Sequence, residues 1–247
     1  MDEKLQGLIT AFSGEVAEKS GEALVSLVLY GSAVSGEYVS GRSDLNFLIV
    51  LESVDADELS ILQKPFKRWQ KKGVGIPLIL DRADLEGSLD SFPMEFLQMK
   101  SAYQLIRGED VLSDLVIEPE HLRLQCEREI KGKLIQLRRG YLEFYEKPGD
   151  RDRLFRESIK AFLVIMRSIL WLQEMESVPT KGEKVIAALE NSLARNFPCC
   201  RKVLEFRTAR PKLADSEAHS LFSGYLSEIT DLAKWIDQWT EELERGK

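Results

Sequence analysis

Short apolar runs alternate with long amphipathic ones along this chain, and the pattern changes character near its middle. Leu5, Leu8, Ile9, Phe12 and Val16 recur at helical spacing, so residues 2–20 read as a helix closed by Ser20-Gly21. Leu27–Tyr30 is short, apolar and partly β-branched, which predicts a buried strand. Gly31-Ser32 breaks it, and Asp44–Leu51 forms a second strand. Asp55–Lys72 reads as a helix with Leu59, Leu62, Phe66 and Trp69 on one stripe, kinked at Pro65. The Gly73-Val74-Gly75 turn leads into a third strand, Ile76–Leu80, and Phe92–Met99 reads as a strand or its lead-in. The second half is helical throughout. Ile130, Leu134, Leu137, Tyr141 and Phe144 make one buried stripe; Phe155, Ile159, Phe162, Met166 and Ile169 make another. Phe222, Tyr225, Ile229, Leu232 and Ile236 make the last. Breaks at 147–150 and 178–182 are short, which predicts an antiparallel bundle.

The stretch Leu27–Leu51 carries the chemistry. A glycine at 31 lets the backbone turn sharply and approach a ligand. A helix starting at Ala33, with Ser32 as its cap, points free N–H groups back at that turn, as a phosphate cradle does. Side chains alternate along a strand, so Asp44 and Asn46 share one face while Leu45 and Phe47 share the other. Two oxygen-bearing side chains facing a phosphate cradle look like half of a magnesium site.

Gly31-Ser32, an eleven-residue gap and then Asp44-Leu45-Asn46 in an apolar strand resembles the signature of the nucleotidyltransferase superfamily. That superfamily includes DNA polymerase beta and the aminoglycoside nucleotidyltransferases. The resemblance implies an α+β fold over residues 1–116, a mixed sheet with flanking helices, and an all-α helical bundle over 117–247. It implies an enzyme that moves a nucleoside monophosphate from a nucleoside triphosphate to a hydroxyl of a small-molecule acceptor. It implies Gly31, Ser32, Arg42 and Ser43 as nucleotide-binding residues, Asp44 and Asn46 as ligands of Mg, and Asp44 and Glu95 as catalytic residues. Glu95 would be a third ligand or the base. The sequence departs from the signature at Asn46, where the family has a second acid, and the strand Ile76–Leu80 carries no acid of its own. Those departures suit an alternative: a degenerate, non-catalytic relative that binds nucleotide or a protein partner.

Composition narrows the rest. A net charge of -7 argues against a protein that coats nucleic acid, and leaves room for a local basic groove. Arg123, Arg128, Lys131, Lys133, Arg138 and Arg139 form a basic helix face, but Glu127 with Lys131 and Glu129 with Lys133 fall at ion-pair spacing. Cys126, Cys199 and Cys200 suggest neither a disulfide framework nor a zinc site, which fits a reducing cytoplasm. His121 and His219 stand alone, and no segment nears the ~20 apolar residues of a membrane helix. The reading expects no membrane, gives no strong nucleic-acid signal, and leaves a homo-oligomer open.

Overall fold

In the computed structural model, helix α1 (Glu3–Ser20) turns Leu5, Ile9, Phe12 and Val16 inward at helical spacing. Residues 3–36, 38–41, 43–144, 147–173, 177–209 and 211–245 are described, with 144 and 240–245 by backbone alone. The first strand, β1 (Leu24–Tyr30), begins earlier than the apolar run suggests, because Leu24 and Ser26 pair with Leu51 and Val50, and Val25 and Ser26 are buried. After the turn at Gly31 comes a single helical turn, α2 (Ser32–Ser35), then β2 (Asn46–Leu51). Helix α3 (Ala56–Gln70) follows; Asp55 caps it by accepting from the Asp57 and Glu58 N–H groups, both at 2.9 Å. Then come β3 (Leu78–Leu80), α4 (Arg82–Gly87), α5 (Pro93–Ser101) and β4 (Tyr103–Gly108).

The four strands form one mixed sheet in the order β3-β2-β1-β4. β1 runs antiparallel to both neighbours, and β2 and β3 are parallel across the α3 crossover. One face of the sheet gives Leu27, Leu29, Phe47, Ile49 and Leu51 to a core with α1 and α3. Phe12 is fully buried there, its ring centroid 4.4 Å from Phe47, 5.7 Å from Phe66 and 5.7 Å from Trp69. Val28, Leu48 and Val50 on the other face are also fully buried, so both faces of the central strands are covered.

Three expectations change. Phe92–Met99 is a helix: Pro93 sits at its first position, where a missing N–H costs nothing, and Met94, Phe96 and Met99 are buried. Only Leu78–Leu80 of the third run pairs in the sheet; Ile76 is 78% exposed. Leu59 faces solvent rather than the α3 stripe, and Pro65 takes a buried place on it.

The chain divides into two compact units, Met1–Glu118 and Pro119–Lys247. The second comprises α6 (Pro119–Phe144), α7 (Pro148–Leu172), α8 (Gly182–Leu193), α9 (Pro198–Glu205) and α10 (Asp215–Arg245). The α7 stripe Phe155, Ile159, Phe162, Met166 and Ile169 is fully buried, as are Tyr225, Ile229 and Ile236 of α10. Glu228 of α10 accepts from the Cys199 and Cys200 N–H groups at 2.7 and 2.8 Å, capping α9 from outside. Burial pushes the Cys126 thiol up to about 12, and all three cysteines are free. On the basic face of α6, Arg123, Lys131 and Lys133 are paired within the unit, while Arg128, Arg138 and Arg139 are exposed. Lys131 pairs with Glu127 at 2.6 Å and Asp237 at 2.7 Å, Arg123 with Glu127 at 3.0 Å, and Lys133 approaches Glu129 at 4.0 Å. Among the described residues no helix is long and apolar enough to cross a membrane.

The Phe12 cluster joins α1, β2 and α3, and so fixes the sheet beneath the turn at Gly31. Phe12→Ala should cost about 3–5 kcal/mol, the usual range for emptying a buried aromatic site. Urea unfolding of the full chain checks it. A loss under about 1 kcal/mol would mean that the cluster is not the centre of this core.

Candidate functional site

β1 delivers its last residue, Tyr30, opposite Asn46, and the chain then turns at Gly31. Gly31 has φ 81° and ψ -143°, a conformation essentially reserved for glycine. It, rather than Ser32, caps α2; its carbonyl accepts from the Val34 and Ser35 N–H groups, both at 3.0 Å. The Gly31 N–H donates to the Ala102 carbonyl at 2.9 Å, tying the turn to the end of α5. Ser32 is the first residue of the helical turn and is half-buried.

Asn46 opens β2, and Leu45 just before it forms a parallel bridge with Val74. The Leu45 N–H donates to the Gly73 carbonyl and the Gly75 N–H donates to the Leu45 carbonyl, both at 2.9 Å. Leu45 is fully buried in the core with α1 and α3, so its neighbours Asp44 and Asn46 lie on the other side of the chain. The glycines confirm the grouping. A Cβ on Gly31 would stand 3.3 Å from Asn46 Nδ2. A Cβ on Gly75 would stand 3.2 Å from Asn46 Oδ1 and 3.5 Å from Asp44 Cβ. The Asn46 amide therefore occupies a slot between two bare glycines, with Asp44 alongside and exposed.

Gly75 is a site neighbour that sequence reasoning missed, because a glycine ahead of a strand reads as an ordinary turn. The row Tyr103–Tyr30–Asn46, given by the strand register, was missed too. Tyr30 is half-buried, and burial raises its phenol pKa. Tyr103 is raised by burial and by its 3.0 Å hydrogen bond to Asp110. Both phenols therefore stay neutral donors at ordinary pH.

Ser43 closes its own loop: its Oγ accepts from the Val39 N–H at 3.1 Å, and its N–H donates to the Val39 carbonyl at 2.8 Å. Arg42 lies outside the described residues. Glu95 is exposed in the first turn of α5, where a carboxylate complements the helix dipole. It is not the buried strand carboxylate that the apolar neighbours suggested. The end of α5 beside the Gly31 turn is Ala102, seven residues on and about 10 Å along the axis. β3 carries no acid, and Asp81 just after it caps α4 by accepting from the Asp84 N–H at 2.7 Å.

Magnesium is commonly held by one or two carboxylates together with substrate phosphates and water. Here Asp44 offers one charge and Asn46 a neutral oxygen. Among the described residues no three His, Cys, Asp or Glu side chains gather as a metal centre. The donor set does not fit an ion held by protein alone. It fits a contact to an ion that arrives with the phosphates of a nucleotide.

No family model matches the sequence. No curated protein matches it either. Among solved structures, the chain is similar to the spectinomycin adenyltransferase AAD(9) from Enterococcus faecialis, crystallised with ATP and spectinomycin. The two share 13% identity over 89% of this chain and 98% of that one, with a TM-score of 0.43. A likeness of that size carries no functional argument, so the reading of the site rests on its residues.

Proposed function

We propose that this chain is a nucleotidyltransferase-like protein that binds a nucleoside triphosphate at the Gly31–Ser32 turn, with magnesium accompanying the phosphates. The observation that carries this reading is the lodging of Asn46 between Gly31 and Gly75, with Asp44 beside it. That arrangement puts a glycine turn, an amide and a carboxylate within one side-chain radius. The Ser32 hydroxyl and the Ser32 and Ala33 N–H groups would donate to phosphate oxygens, since those of Val34 and Ser35 already donate to the Gly31 carbonyl; Arg42 and Ser43 would border the nucleotide, and Asp44 and Asn46 would offer oxygens to the metal. When bound, the metal offsets the charge of the triphosphate; the protein supplies chiefly positioning. In the transfer reaction an acceptor hydroxyl oxygen bonds to the α-phosphorus, the bond to pyrophosphate breaks, and the hydroxyl proton passes to a base, the role proposed for Glu95. The acceptor in this reading is a small molecule.

A second reading is favoured by one observation: the site has an amide where a second carboxylate would stand, and β3 brings no acid toward it. In that reading the fold keeps nucleotide or partner binding and performs no transfer.

Calorimetric titration with nucleoside triphosphate, with and without magnesium, separates the two. Under the transferase reading Asp44→Ala weakens metal-dependent binding about 10–100-fold, the worth of one charge-assisted contact. Asn46→Asp tightens it, and Glu95→Gln leaves binding intact while abolishing transfer. Binding indifferent to magnesium and to Asp44 would sink the transferase reading and leave the non-catalytic one. Absence of binding by every variant would remove nucleotide from both.

A separate expectation concerns Gly75→Ala. The new methyl meets Asn46 Oδ1 at 3.2 Å, so the amide must move. Nucleotide affinity should fall while stability changes by less than about 1 kcal/mol. Unchanged affinity would show that the position of the Asn46 side chain does not matter to binding.

A further inference from the structure

A tyrosine hydroxyl taken out of water usually finds a partner in the protein. Tyr103 donates to Asp110 at 3.0 Å, Tyr225 donates to Ser158 at 3.2 Å, and Tyr141 shares a 2.9 Å hydrogen bond with His219 Nδ1. Tyr30, the last residue of β1, is half-buried and has no such partner among the described residues. Its oxygen is not sealed away either: the buried side-chain oxygens without a partner, among the described residues, are those of Ser13 and Ser20. Tyr30 thus presents a packed ring and an accessible O–H that does no structural work.

That hydroxyl lies on the face of the candidate site. Tyr30 stands opposite Asn46 on one side and Tyr103 on the other. Directly opposed residues of an antiparallel pair share a face, with Cβ atoms about 5 Å apart. Leu27 and Leu29 point into the core with α1 and α3, so Tyr30 points the other way, with Asn46. The next residue is Gly31, whose N–H is spent on the Ala102 carbonyl and whose own carbonyl takes the Val34 and Ser35 N–H groups. The donors that the turn keeps are the Ser32 and Ala33 N–H groups and the Ser32 hydroxyl. A triphosphate presents more acceptor oxygens than these can serve.

We propose that the Tyr30 hydroxyl donates a hydrogen bond to a phosphate oxygen of the bound nucleotide. The inference rests on the nucleotide reading of the Gly31 turn and adds a binding residue to it. A phenol suits the place because it donates without bringing a charge of its own. Burial holds the Tyr30 ionisation above the usual phenol range, so the proton stays on where a triphosphate is fully ionised. Tyr103, the other phenol of the row, is committed elsewhere. Its partner Asp110 also accepts from the Leu112 and Ser113 N–H groups, at 3.3 and 3.1 Å, so Tyr103 ties β4 to the turn that follows it. The two tyrosines divide the work: one fixes the sheet edge, and the other keeps its hydroxyl for a ligand.

The test is calorimetric titration of the full chain, wild type and Tyr30→Phe, with adenosine triphosphate and with inorganic triphosphate, magnesium present. Tyr30→Phe should weaken both ligands by the same factor, about tenfold, the worth of one hydrogen bond to a charged group. Its urea midpoint should match the wild type, since the lost hydroxyl had no protein partner. Equal affinity of the two proteins for both ligands overturns the proposal and leaves the nucleotide reading standing. A loss for adenosine triphosphate alone, or no binding of inorganic triphosphate at all, overturns the phosphate contact and moves the hydroxyl to the nucleoside. No binding of either ligand by the wild type overturns both readings. A second measurement needs no stable variant in the titration. In wild type isotope-labelled at the tyrosine Cζ carbons, the resonance missing from Tyr30→Phe should shift when adenosine triphosphate is added. A resonance that stays in place at saturating ligand overturns the proposal.

Discussion

The register of β1 against β2 is the constraint on which the site depends. Pairing runs from Leu24 opposite Leu51 to Tyr30 opposite Asn46, with one irregularity between Leu24 and Ser26. It sets the Gly31 turn beside Asn46 rather than beside Leu45 or Phe47. A slip of one residue would send Asp44 and Asn46 into the core with α1 and α3, and Leu45 and Phe47 out of it. The slip is blocked because Leu45, Phe47, Ile49 and Leu51 are all fully buried on one face, locked by the Phe12 ring. The hydrophobic core thus acts on the chemistry at a distance: it decides which face the polar residues must take.

The central features of this arrangement were legible in the sequence because they follow period and conformation. Alternation alone puts Asp44 and Asn46 together, and a glycine between two apolar runs marks a turn. The helices of the second unit were legible from their stripes, since Phe155, Ile159, Phe162, Met166 and Ile169 are all fully buried. What was not legible depended on neighbours distant in sequence. Gly75 joins the site only through the Leu45–Val74 bridge, and no local pattern announces a bridge. Tyr103 enters through pairing with β1 across more than seventy residues of intervening chain. Glu95 was misplaced because a short apolar run with one acid fits a strand or a helix, and the deciding signal was Pro93 at the helix start.

Charge is distributed differently in the two units. On α6, Arg123, Lys131 and Lys133 meet acids at helical spacing and, at Lys131, an acid of α10 as well, so part of that face is neutralised inside its own unit. On α3 the spacing is just as regular, but acids and cations are segregated: Asp57 and Glu58 stand in the first turn and the cations at the other end. Segregation suits the helix dipole; at the cationic end Arg68 pairs with Glu15 of α1, while Lys64, Lys67 and Lys71 have no ion pair among the described residues. The same count of lysines can therefore describe an internally paired surface or one with unspent charge, and only the ion pairs tell them apart.

Asn46 bears on stability as well as on chemistry. An aspartate in that slot would stand on the same face as Asp44, two residues away, and the two carboxylates would repel whenever no cation lay between them. The amide has nearly the same shape and removes that repulsion. The folded state without ligand is then free of a like-charge penalty, and it loses the second negative ligand that draws a divalent ion. A site of this kind should depend less on metal for its folding and more on the nucleotide's own phosphates for any metal it holds. The slot between Gly31 and Gly75 is equally wide for either side chain, so the choice of amide over acid is electrostatic rather than steric.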